Sequence, residues 1–172
     1  MENRNMFINP KIGIKEGWIK NVDENNIQPN AIDITADKIW KVAQMDADIT
    51  SKRHRNRNEV NMNENGVWNL FTGVYDFASE TYIEVPQGMV GWLHTRSTLN
   101  RNGLIVHSGL YDSGFKGPIC GMIYNHIAGN VALTPGTCVA QFLLATSDSE
   151  GAVSYTHLRA HETGRNLVCR LL

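Results

Sequence analysis

Residues 89–125 read MVGWLHTRSTLNRNGLIVHSGLYDSGFKGPICGMIYN, a run of short apolar stretches interrupted by Gly, Ser, Asn and Asp. Stretches of four to eight residues rich in Val, Ile, Tyr and Trp, spaced by turn formers, predict β-strands rather than helices. The same style continues on both sides. TYIEV and a Pro-Gln-Gly turn precede the run; VALT, a Pro-Gly turn and CVAQFLLA follow it. Residues 67–145 therefore read as an all-β sandwich or barrel, with one short helical turn near Ser97–Arg101 between two strands.

Upstream, IQPNAIDITADKIWKV (residues 27–42) places Ile32, Ile34, Ile39 and Val42 in extended structure after a Pro-Asn turn. Residues 44–66 are polar, charged and rich in Asn, as in a long loop or a solvated hairpin, and their KRHRNR run reads as a solvated face. Residues 1–26 give weak signals compatible with a short helix or strand. The expected domain is 1–151. Residues 152–172 carry three Arg and two His without β alternation, resemble a translated sequencing-library adapter, and are expected to be foreign to the fold.

The chain has 172 residues, 42% apolar and 19% charged, which suits a single globular domain. A net charge of −1 argues against a protein that coats nucleic acid. Cys120, Cys138 and Cys169 have no CxxC spacing and read as reduced thiols. No apolar run has the length of a membrane span, and the N-terminus lacks a signal-peptide layout, so the expected compartment is the cytoplasm.

Chemistry concentrates in the opening stretch. Arg96, Ser97 and Arg101 precede a strand, and Asp112 follows it on a Gly-rich turn. Arg and Ser beside exposed backbone N–H groups make an anion pocket. A carboxylate facing the same anion needs a metal ion or a water to activate. Gly103, Gly109, Gly114 and Gly117 permit tight bends and close approach of backbone to a ligand. By themselves these residues point to a phosphorylated small molecule.

Three segments carry a resemblance. IQPNAIDIT resembles the first motif of dCTP deaminases, RSTLNRNGLIVHSGLYDSGFKG the joined second and third motifs of dUTP pyrophosphatases and deaminases, and PGTCVAQFLL their fourth. Together they are similar to the trimeric dUTP pyrophosphatase and dCTP deaminase family in order and spacing. The resemblance implies a distorted β-barrel or jelly-roll of the β-clip type, assembled as a homotrimer with sites at subunit interfaces. It implies cleavage of dUTP to dUMP and pyrophosphate, with Asp112 as general base and Asp33 holding Mg²⁺ through water. Arg96, Ser97 and Thr98 would bind phosphate oxygens, and Gln141 would place phosphates and water. The hairpin around Gly109 would read uracil through its backbone, while Tyr111 and Phe115 would border the nucleotide, Phe115 against the deoxyribose.

Deamination needs a carboxylic acid to move protons, and the position corresponding to that glutamate is Met122, whose thioether cannot carry one. A deaminase with another proton shuttle, and a nucleotide-binding regulator without turnover, are the alternatives. Two departures stand out. Cys138 replaces the usual Arg of the fourth motif, and a Gly-rich closing arm with an aromatic residue is not recognisable after Ala145.

Overall fold

Among the described residues, strand patterning and turn chemistry produce eleven strands and little else. The computed structural model describes residues 6–48, 50 and 56–147. In chain order the elements are α1 (Pro10–Lys15), β1 (Ile19–Lys20), a 3₁₀ turn (Glu24–Asn26), β2 (Ile32–Thr35), β3 (Lys38–Val42) and β4 (Arg57–Glu59). There follow β5 (Trp68–Leu70), β6 (Gly73–Glu84), β7 (Met89–Thr95), α2 (Ser97–Arg101), β8 (Leu104–His107), β9 (Lys116–Asn125), β10 (Val131–Leu133) and β11 (Cys138–Thr146). The weak N-terminal signal resolves as α1, started by the Asn9 side chain accepting from the Lys11 N–H at 3.0 Å, with Pro10 in the first turn.

The strands form three sheets, ordered β4-β3-β6-β9-β8 with β1 added to β6, β10-β5, and β2-β11-β7. Among the described residues every ladder is antiparallel. The all-β expectation holds, but among the described residues these ladders do not close into a hydrogen-bonded barrel; the sheets share one apolar core instead. Ile32, Ile34, Ile39, Leu70, Phe77, Ile119, Ile123 and Phe142 are all nearly inaccessible in it. Period-two alternation puts them there, as in β6, where burial switches at every residue from Tyr75 to Ser79. Part of the 44–66 segment is a hairpin: β4 folds back on β3, and Asn63 Oδ1 closes the following turn by accepting from the Asn65 and Val67 N–H groups. Arg57 leans over Trp40 and pairs with Asp76 at 2.6 Å. Residues 52–55 of the KRHRNR run and the segment 152–172 lie outside the described residues.

Strand β7 positions the site. On one side it ladders with β11 along its whole length. On the other it meets β8 and the turn after it through side chains. The Thr95 hydroxyl donates to the Val106 carbonyl and accepts from the Val106 N–H, and the Ser108 hydroxyl accepts from the Leu93 N–H. Gly91 and Tyr111 exchange both backbone hydrogen bonds. A Cβ at Gly91 would lie 2.6 Å from Phe142 Cζ, so only glycine allows the Phe142 ring under this crossing.

Candidate active site

At the C-terminal end of β7, three sequence-predicted residues converge. Asp33 on β2, Gln141 on β11 and Arg96 after β7 meet because β11 pairs with both other strands, with Gln141 opposite Asp33 on one side and His94 on the other. Asp33 is 4% exposed. Its Oδ1 accepts from Gln141 Nε2 at 3.0 Å, and its Oδ2 pairs with the Arg96 guanidinium at 3.1 Å. A third donor was not foreseen: Gln28 Nε2 reaches the same Oδ2 at 3.2 Å. It comes from the turn before β2, where the Gln28 N–H donates to the Ala31 carbonyl. Asp33 is thus a buried carboxylate whose charge is compensated rather than a turn cap.

Ser97 and Thr98 are exposed on the first turn of α2. The cap position belongs to Arg96, without a side-chain cap bond, so capping the helix is not the task of Ser97.

Asp112 sits at the other end of β7, in a turn fixed from several directions. The Phe115 N–H donates to the Asp112 carbonyl, with Gly114 at a φ of 87° between them. The Ser113 hydroxyl donates to the Met89 carbonyl at 2.8 Å and accepts from its N–H. The Val85 carbonyl accepts from the Gly114 N–H, and the Val85 N–H donates to the Phe115 carbonyl. None of these bonds uses the Asp112 carboxylate, which is half-buried.

Tyr111, expected to border the nucleotide, lies in the core at 1% exposure. Its hydroxyl donates to the Cys120 carbonyl and accepts from the Cys120 N–H, and its ring meets Phe115 and Phe142 edge-on at 5.0 and 5.7 Å. It anchors the Asp112 turn from below. Phe115 remains half-buried, its ring above Gly117, where a Cβ would come within 3.1 Å. Gly103 and Gly114 adopt positive φ; Gly109 does not, so its freedom matters for close approach and not for the bend itself.

Met122 lies half-exposed, with Asp76 opposite it on β6 and His107 opposite it on β8. Both titratable neighbours are engaged: Asp76 with Arg57, and His107 edge-on with Tyr124.

Cys138, in place of the fourth-motif Arg, approaches Asn26 Oδ1 at 3.5 Å. Burial pushes its thiol pKa up, the Arg96 cation pulls it partly back, and Asp33 and Asp23 add to the rise. In a Cys169→Ser variant, labelling of Cys138 by a chromogenic disulfide should therefore have its pH midpoint above the ordinary thiol value of about 8.5. Arg96→Ala should move it higher still. A midpoint at or below the ordinary value would contradict this environment.

Among the described residues no three His, Cys, Asp or Glu side chains converge as a direct metal cage. The donor set at Asp33 fits an outer-sphere role: Oδ1, with one protein donor, can still accept from a metal-bound water.

Comparison with known proteins identifies the family. A protein of Halobacterium salinarum named probable deoxyuridine 5′-triphosphate nucleotidohydrolase is 30% identical over 149 residues, spanning 82% of this chain and 89% of that one. A dCTP deaminase of Pyrobaculum aerophilum is 31% identical over 86 residues, 50% of this chain and 48% of its own. The crystal structure of the 2′-deoxycytidine 5′-triphosphate deaminase from Agrobacterium tumefaciens shares the fold, with a TM-score of 0.65 at 14% identity over 83% of this chain and 48% of that one. The family model described as dCTP deaminase-like matches residues 6–147, nearly everything the structure describes, and the chain belongs to that family.

Proposed function

We propose that this chain is a nucleotide pyrophosphatase that cleaves dUTP to dUMP and pyrophosphate. The observation that carries the reading is the Asp112 turn: a carboxylate on a backbone-anchored loop in the β8–β9 connection, near the half-buried ring of Phe115. The hairpin backbone at Ser108–Leu110 reads the uracil edge. Phe115 packs against the deoxyribose, leaving no room for a 2′-hydroxyl, and Asp112 contacts the 3′-hydroxyl and takes the proton of the attacking water. Arg96, Ser97 and Thr98 hold phosphate oxygens, and Gln141 helps to place the phosphates and the water. Mg²⁺ carried on the triphosphate would reach Asp33 through water and neutralise phosphate charge. Catalysis then comes from positioning and charge stabilisation, without a covalent intermediate.

The same geometry supports assembly as part of this reading. Asp112 adjoins the Tyr111–Gly91 crossing, while Arg96 lies five residues further along β7, roughly 16 Å away at strand rise. One chain supplies both halves of the site at opposite ends of a strand, so a complete site draws on a neighbour. A homotrimer with three interface sites meets that need.

Met122 and its engaged neighbours favour hydrolysis over deamination. Pyrophosphate release measured with dUTP, dCTP, dTTP and UTP, with and without Mg²⁺, tests the reading. The expected result is Mg²⁺-dependent release from dUTP, with kcat/KM about a hundredfold above the other nucleotides. Ammonia released from dCTP would move the assignment to the deaminase. Tight dUTP binding without pyrophosphate would move it to a regulator.

A further inference from the structure

We propose that Gln28 is a positioning residue that allows Arg96 to leave Asp33 and engage the phosphate chain; this rests on the reading of Arg96 as a phosphate ligand. Asp33 Oδ2 stands in an ion pair with the Arg96 guanidinium at 3.1 Å and accepts a hydrogen bond from Gln28 Nε2 at 3.2 Å. Oδ1 is held separately by Gln141. The carboxylate is 4% exposed, so few waters reach it and the protein donors already in place carry most of its solvation. Of the donors on Oδ2, Arg96 is the one free to go, because its side chain is 32% exposed and long enough to swing. Gln28 is the one that stays. The Ile27–Ile32 bridge and the Gln28 N–H bond to Ala31 fix the turn that carries it, which delivers its amide to Asp33 from five residues upstream.

The consequence is an exchange of partners. When Arg96 turns to a phosphate oxygen, Oδ2 keeps one amide donor and Oδ1 keeps the other, so no buried anionic oxygen is left bare. Without Gln28, the Arg96 ion pair is what remains on Oδ2 among the described residues, and each phosphate contact Arg96 makes takes it away. Nucleotide binding then carries the penalty of an unsatisfied buried acceptor. The role differs from that of a structural prop, because it exists only while Arg96 is present to be exchanged.

The test is calorimetric titration with the non-hydrolysable α,β-imido analogue of dUTP in Mg²⁺ buffer, on the full chain and on Gln28→Ala, Arg96→Ala and the double variant. Gln28→Ala should bind on the order of tenfold more weakly than the parent, and the double variant no more weakly than Arg96→Ala alone. Parent-like affinity in Gln28→Ala, with a clear loss in Arg96→Ala, would overturn the proposal and leave the phosphate role of Arg96 standing. No loss in Arg96→Ala would remove that role and the proposal with it. An equal loss from Gln28→Ala in both backgrounds would make Gln28 a structural prop only. Should Gln28→Ala melt well below the parent, Gln28→Met keeps the side-chain bulk without the amide and reads the same way.

Discussion

Asp112→Asn is expected to lower kcat by about a hundredfold or more while nucleotide affinity stays within roughly threefold of the parent. The substitution keeps shape and removes only the ability to take a proton. The turn that presents the side chain depends on other atoms: the Asp112 carbonyl, the Ser113 hydroxyl on Met89, and the backbone exchanges with Val85 and Gly91. Folding therefore has no stake in the carboxylate, and the thermal midpoint should stay put. An amide can still meet a 3′-hydroxyl, so binding survives. Single-turnover pyrophosphate release and calorimetry with the imido analogue separate the two quantities. Near-parental kcat in the variant would strip Asp112 of the role of base; lost binding with normal chemistry would recast it as a sugar ligand.

Much of this arrangement was legible in the residues, and the exceptions share a cause. Short apolar stretches with Gly and Pro between them predicted strands and the helix at Ser97–Arg101, because period and turn chemistry are local. Asp33, Arg96 and Gln141 fall on three strands far apart in sequence, and their meeting depends on β11 pairing with both β2 and β7, which alternation does not encode. Resemblance named the residues, and register brought them together. Gln28 escaped because its contact runs back across a turn whose geometry is set by Pro29 and Asn30, and nothing in spacing separates a turn amide that points outward from one that caps a buried carboxylate. The place of Tyr111 in the core was hidden for a related reason. A tyrosine beside a catalytic turn reads equally well as ligand contact or core, and the deciding fact, a hydroxyl shared between the N–H and carbonyl of Cys120, lies nine residues away on another strand. The barrel expectation likewise turned on ladder closure, a property of register and not of pattern.

Thr95 shows how such an unseen contact can carry both stability and function, and Thr95→Val should have the largest effect on folding of any isosteric change near the site. Strands β7 and β8 lie side by side, yet at Thr95 a side chain stands in for the ladder. Its hydroxyl is buried and serves both polar groups of Val106 at 2.8 and 2.9 Å. Val106 faces away from β9 with these groups, so neither has another strand to turn to. Valine fills the same volume and leaves an N–H and a carbonyl unpaired in the core, together worth about 3 kcal/mol. For a domain of this size that lowers the thermal midpoint by roughly 10 °C. Thr95→Ser keeps the hydroxyl and loses a methyl, so it should cost only about 1 kcal/mol. The functional consequence is directional. With β8 loosened, the hairpin that reads the base shifts, while the Asp112 turn keeps its anchors at Gly91, Met89 and Val85. KM for dUTP should therefore rise several-fold with a smaller change in kcat, and thermal melts with steady-state kinetics on both variants decide the matter. If the valine variant melts within about 2 °C of the parent, or the serine variant falls as far as the valine one, the hydroxyl is not what joins β8, proposed to lead into the base-reading loop, to β7, the strand that runs up to Arg96.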